Sequence, residues 1–195
     1  MTNVKLSPHF KLYEFCVTSS GANVVQANRE FASESENTKK LTDLSNKILE
    51  PIRTEMIKPS NNFGVKFMTI TSGVRTSGTK ISNASKTSQH NHCEACDFVI
   101  NGKLEDTARF YKMIVEGNIP ELDLNVVSQV ILERKQRADK TWSNWIHIGL
   151  LTERLKEQRK ASNRNCTKFP EFFISLDGFK YVIYNETNYK NYLVK

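Results

Sequence analysis

Leu41, Leu44, Ile48, Ile52 and Met56 recur at three- and four-residue steps, so one helix face collects all five and has to be covered by something apolar. Asn37 or Thr38 can cap this helix and Pro59 lies just past its end. Pro51 falls inside the pattern and is expected to kink the helix or split it in two. The cover comes from segments of a different period. Residues 66–72, 95–100, 126–133 and 145–149 read as strands, and the third has a strong β-branched bias. Residues 104–116 read as a second helix stopped by Gly117. Residues 17–36 and 76–88 are polar and read as loops, as does the charged connection 134–140. Near the C-terminus, residues 172–176 and 179–184 flank Asp177-Gly178, which reads as a two-residue hairpin turn. Regular βαβ alternation is missing, so the expected class is α+β, with a small antiparallel sheet packed against helices.

A chain of 195 residues is sized for one domain with a proper core. We read residues 1–165 as that domain and 166–195 as a hairpin extension packed on it. No stretch approaches the roughly 20 apolar residues of a membrane span. The first residues lack the apolar core of a signal peptide. A net charge of +7 favours an anionic partner or simply a solvated basic surface. The basic run 154–164 holds a glutamate and no aromatics, which argues against a specific nucleic-acid site. Four cysteines are too few for a disulfide framework. Cys93 and Cys96 form a Cys-x-x-Cys, a spacing open to metal or redox chemistry, while Cys16 and Cys166 stand alone.

The residues that carry chemistry are dispersed. A hydrolytic zinc site takes three ligands from His, Asp or Glu and keeps a fourth position open. His90 at the end of a polar loop and Asp97 on the next strand have suitable spacing. His147 alternates with Ile146 and Ile148, so it shares a strand face with Trp145 and Gly149. Taken alone, that pattern fits a hydrogen-bonded core histidine as well as a ligand.

Together these residues resemble a known family. Ser88-Gln-His-Asn-His-Cys-Glu-Ala-Cys-Asp97 resembles the Ser-x-His-x(6)-Asp motif of the zinc D,D-carboxypeptidases and phage L-alanyl-D-glutamate peptidases (peptidase family M15). Trp145-Ile-His-Ile resembles that family's Trp-x-His strand, and Thr71-Ser-Gly-Val-Arg75 its Ser-Gly-x-Arg segment. Segments 6–15, 49–53 and 129–133 are similar to the phage-type branch and occur in its order. The resemblance implies a Hedgehog/D,D-peptidase-like fold, Zn2+ held by His90, Asp97 and His147, and Arg75 facing the substrate. The implied substrate is a peptidoglycan stem peptide, reached from a phage lysate or virion in contact with the anionic cell wall.

Two departures matter. The family favours glycine where Cys93 stands, which we read as backbone passing close to another element; thiolate ligation by Cys93 or Cys96, or ligation by His92, remains open at this point. The family's acid three residues before the last histidine is replaced by Asn144, which cannot accept a proton. Glu133 is then the candidate general base, because an antiparallel return through 134–144 brings it beside residues 145–147, with Asp139 as second candidate. Trp142 and Trp145 are candidates to line the cleft. The competing reading is a catalytically inactive zinc protein serving as a virion component or wall-binding module.

Overall fold

The computed structural model describes residues 4–76, 87–162 and 168–194. The apolar stripe forms as expected. Helix α2 (Ser35–Leu44) runs into a π turn (Ser45–Leu49) and on into α3 (Glu50–Met56), and all five stripe residues are buried. At Pro51 the helical path continues, but through a change of hydrogen-bonding pattern. The proline's missing N–H is accommodated by widening the preceding turn, where Glu50 N–H reaches back five residues to the Ser45 carbonyl. The expected loop 17–36 is in large part helix α1 (Ala22–Ala32). Its apolar positions Val24, Val25, Phe31 and Ala32 lie on one side, but Asn28 interrupts them, and only Asn28 and Ala32 are buried.

Six strands form one sheet in the order β1-β2-β4-β3-β5-β6: β1 Thr69–Ser72, β2 Ala95–Val99, β3 Val127–Gln136, β4 Trp142–Leu150, β5 Glu171–Ser175 and β6 Tyr181–Ile183. Helices α4 (Leu104–Val115), α5 (Glu153–Ala161) and α6 (Glu186–Leu193) complete the described elements. The sheet is mixed rather than antiparallel, because β5 lies parallel to β3. The cause is topological. β4 already occupies one side of β3, so the chain crosses by way of α5 and adds β5 on the other side, running against β4 and therefore along β3. The β5–β6 turn is also longer than expected. Ser175 pairs with Tyr181, leaving 176–180 as the loop, with the Asp177 carboxylate accepting from Phe179 and Lys180 N–H.

One face of the sheet is the core. Cys96 and Phe98 of β2, Ile146, Ile148 and Leu150 of β4, Val130 and Leu132 of β3, and Ile174 of β5 are buried in one cluster with the α2–α3 stripe and with Leu104, Ala108, Tyr111 and Ile114 of α4. The alternate residues of the same strands face the other way, and these carry the chemistry. No helix among the described residues is long and apolar enough to cross a membrane.

Two contacts tie distant segments to this frame. Ser7 and His9 bond the Glu50 carboxylate, with the Ser7 hydroxyl at 2.6 Å and the His9 backbone N–H at 2.8 Å. Val74 N–H donates to the Phe15 carbonyl at 2.7 Å, which presses Gly73 against Phe15. A Cβ at Gly73 would lie 2.7 Å from the Phe15 Cα, a contact with rigid backbone. Gly73→Ala is therefore expected to destabilise the protein by about 1–3 kcal/mol, the usual range for overpacking, as read by urea denaturation. An unchanged midpoint would mean the two segments separate freely.

Candidate metal centre

Three elements bring His90, Asp97 and His147 together. Asp97 on β2 and His147 on β4 are directly paired across the ladder, so their side chains leave the same face as close neighbours. His90 comes from the short 3-10 turn Gln89–His92 before β2. That turn is pinned by Gln89, whose amide donates to the Ser128 hydroxyl at 2.8 Å and to the Leu150 carbonyl at 3.2 Å. Gly149 makes the space, since a Cβ there would lie 2.6 Å from the Ser128 oxygen.

The three donor atoms face one another. His90 Nε2 lies 3.1 Å from His147 Nδ1 and 3.2 Å from Asp97 Oδ1, and His147 Nδ1 lies 2.9 Å from the same oxygen. Ligands on a tetrahedral zinc, at about 2.0–2.1 Å from the ion, stand roughly 3.3 Å apart, so this triangle has nearly the size of a zinc tetrahedron's face. The tautomers agree. His90 Nδ1 sits 2.6 Å from the Gly73 carbonyl, an interaction that requires the proton on Nδ1 and leaves Nε2 with its lone pair toward the triangle. Burial favours the neutral form of His90, the form that ligates. Burial alone would raise the Asp97 pKa, but His90 and His147 outweigh it and hold the carboxylate far below its ordinary range. Arg75 assists from behind, with its Nη2 donating to Asp97 Oδ2 at 3.0 Å while Nε and Nη2 donate to Ser72 Oγ. Two imidazoles and an ionised carboxylate, all buried and convergent, form a group that can hold a metal ion.

The alternative ligands are placed elsewhere. Cys96 points into the core face, and burial raises its thiol pKa well above the ordinary value. Burial likewise pushes Cys93 up to about 12, and neither sulfur belongs to the donor triangle. Cys93 also corrects the reading of its position. Its φ of 58° is left-handed, a conformation glycine adopts at the least cost, so the backbone itself favours a glycine at this position. His92 stands outside the donor triangle, near Arg154, Glu94 and Lys40.

Glu133 lies where the strand pairing places it, opposite Trp145 in the β3–β4 ladder and on the face that carries His147. Burial is the largest influence on it and the Asp97 charge the second; together they raise its carboxyl to about 7, while His147 first, and then the neighbouring Trp145 and the Tyr181 hydroxyl, pull the other way. Asn144 is on the opposite face. It accepts from the Thr107 hydroxyl and donates to the Gly102 carbonyl, which explains an amide at this position as an anchor for α4. Asp139 is exposed at the β3–β4 hairpin tip, capping Thr141, and does not reach the triangle. Of the two tryptophans, Trp145 joins the site and Trp142 stacks on the Arg134 guanidinium instead.

Sequence reasoning missed Tyr181, whose hydroxyl reaches Glu133 Oε2 at 3.3 Å. Alternation within 179–184 marks the face of Tyr181, but not which strand its hairpin would join. It also missed Glu94, a fully buried carboxylate held by both Nε and Nη2 of Arg154. In the basic run, Arg154 pairs with Glu94, Lys156 with Glu153 and Arg159 with Glu171, so much of its charge is neutralised within the chain. Residues 163–167, with Arg164 and Cys166, and most of the polar loop 76–88 lie outside the described residues. Searches against family models, curated proteins and solved structures return no match, so the assignment of this centre rests on its own geometry.

Proposed function

We propose that the centre holds zinc and that the protein is a metallopeptidase cutting peptidoglycan stem peptides, with a Hedgehog/D,D-peptidase-like arrangement of its sheet. The observation that carries this reading is the donor triangle, with sides of 2.9–3.2 Å, on the same sheet face as a buried carboxylate poised near neutrality. A divalent ion there supplies Lewis acidity, polarising a scissile carbonyl and acidifying water.

The chain's own residues have separable tasks. Glu133, one strand from His147, accepts a proton and passes it to the departing amine. Its ordinary pKa would leave it a poor acid for that second transfer, and the shift toward 7 suits both transfers. Arg75 fixes Asp97 through Oδ2, leaving Oδ1 for the metal, and its positive charge counters the oxyanion as it develops. Trp145 orients Glu133 and walls the cleft. Peptidoglycan is also polyanionic, which suits the net charge of +7 and release from a phage lysate or virion onto the wall.

Zinc-loaded protein is expected to release new amines from purified sacculi, and Glu133→Gln to lower that rate by about 10²–10⁴-fold with zinc stoichiometry unchanged. The same substitution has a signature in the metal-free protein. A carboxyl whose folded pKa lies above its unfolded value favours the fold most at low pH, and that contribution is lost as pH rises through the folded pKa. Between about pH 4.5 and 7 the wild type should therefore lose up to about 3 kcal/mol relative to Glu133→Gln. Parallel stability curves would contradict the buried acid.

One observation favours a second reading, an inactive zinc protein acting as a virion component or wall-binding module. The position of the family's acid is an amide committed to Thr107 and Gly102. Under that reading sacculi bind without amine release, and Glu133→Gln changes nothing.

A further inference from the structure

The C-terminal hairpin, which the family resemblance does not cover, reaches into the candidate site. β5 pairs with β3 so that Ser175 stands beside Glu133, and β6 then places Tyr181 beside Ser175 on the same face. The row across the sheet is Trp145, Glu133, Ser175, Tyr181. Ser175 is fully buried and its hydroxyl accepts from Gly178 N–H, so it stays with the turn and lets the longer tyrosine pass over it. The Tyr181 hydroxyl ends 3.3 Å from Glu133 Oε2, although half of the residue is exposed at the sheet's open side. From below, the Tyr192 hydroxyl of α6 donates to the Glu133 backbone carbonyl at 3.0 Å. The strand and the carboxylate are thus held separately, one by each tyrosine.

We propose that Tyr181 is a positioning residue for the reaction, its hydroxyl holding Oε2 so that Glu133 presents Oε1 toward the metal centre. The inference rests on the peptidase reading for its consequence but not for its geometry. A carboxylate on a mobile side chain has two equivalent oxygens and several rotamers, and a base is effective only in the few that reach the transferred proton. With Tyr181 donating to Oε2, one orientation is selected. The groups facing this carboxylate are Tyr181 from β6, Asp97 from β2, and His147 and Trp145 from β4. Of these, only Tyr181 is brought by the hairpin. Burial, followed by the Glu133 charge, raises the phenol pKa, so it remains a donor throughout the range in which Glu133 ionises.

The test uses the full-length, zinc-loaded protein with 13C-labelled glutamate, and assigns the Glu133 carboxyl by its loss in Glu133→Gln. In Tyr181→Phe the carboxyl midpoint should rise by about one pH unit, because a donor to the charged form is gone. On sacculi, kcat should fall about tenfold while KM holds, and the acid limb of the rate should move up with the carboxyl. Tyr192→Phe is the control for a merely structural role, expected to lower the melting temperature while leaving the midpoint in place. A Tyr181→Phe midpoint equal to that of the wild type overturns the proposal. If the wild type proves inactive on sacculi, the peptidase reading fails on that ground alone, and the carboxyl midpoint still decides whether Tyr181 holds Glu133.

Discussion

Zinc added to the metal-free protein should raise its melting temperature, and the same addition should leave Asp97→Asn unmoved. An ion that binds only the folded chain stabilises it by about 2.7 kcal/mol at a free concentration one hundred times its dissociation constant. For a domain of this size that is a shift of roughly 5–10 °C. The triangle explains why one ligand controls so much of it. Asp97 contributes the single negative charge, and its Oδ1 lies within hydrogen-bonding distance of both imidazole nitrogens, so an amide there loses the charge and offers one proton too many. The variant should also begin lower without metal. A carboxylate held below its unfolded pKa contributes stability above that pKa and loses it as pH falls through the folded value. The gap between wild type and Asp97→Asn therefore narrows only below about pH 4, the ordinary aspartate range. A zinc-dependent shift preserved in the variant would place the metal elsewhere.

Arg134→Met should cost about 3 kcal/mol or more and free the C-terminal helix before the rest of the sheet unfolds. Arg134 lies on the core side of β3, almost fully buried, and among the described residues no carboxylate pairs with it. Its guanidinium instead donates to the carbonyls of Leu176, Asn191, Tyr192 and Val194, closing the C-terminal end of α6 between the rings of Trp142 and Tyr192. Methionine replaces the aliphatic stem but leaves the buried Tyr192 carbonyl without its donor, at about 1–3 kcal/mol, with further loss from the three part-buried carbonyls around it. Hydrogen exchange should show the amides of α6 losing protection first, with those of β2 and β4 retained. Exchange rates unchanged in α6 would show that the rings, not the guanidinium, hold the helix. Tyr192 links this anchor to Glu133, so the variant should weaken catalysis without removing zinc.

The candidate ligands were legible through the family resemblance, since local pattern shows only how each residue faces and left His147 open between core residue and ligand. Alternation at 145–149 puts His147 with Trp145, and residues 95–100 read directly as a strand. The same local logic placed Glu133, since a hairpin's register follows from the residues between its strands. It failed wherever a long-range choice decided the outcome. Nothing in residues 172–184 marks β3 as their neighbour, so the parallel pair, the mixed sheet and Tyr181 were hidden together. Arg134 was read as the first residue of a charged loop, because a buried arginine satisfied only by carbonyls has no sequence signature. The helix at 22–32 was missed because Asn28 takes the central position of its apolar face, between Val24 and Val25 on one side and Phe31 and Ala32 on the other, within a segment otherwise rich in polar residues. Pro51 warned of a break that a π turn absorbs.

The parallel pairing of β5 with β3 also sets an order of assembly. His90, Asp97 and His147 all precede β5 in the chain, and β2, β3 and β4 pair with one another without it. The hydroxyls that hold Glu133 and the carbonyls that accept from Arg134 come later, and reach β3 only after the crossover through α5. As the chain emerges during synthesis, His90, Asp97 and His147 can gather before Glu133 is secured. On the peptidase reading, the donor triangle is complete before its base is held.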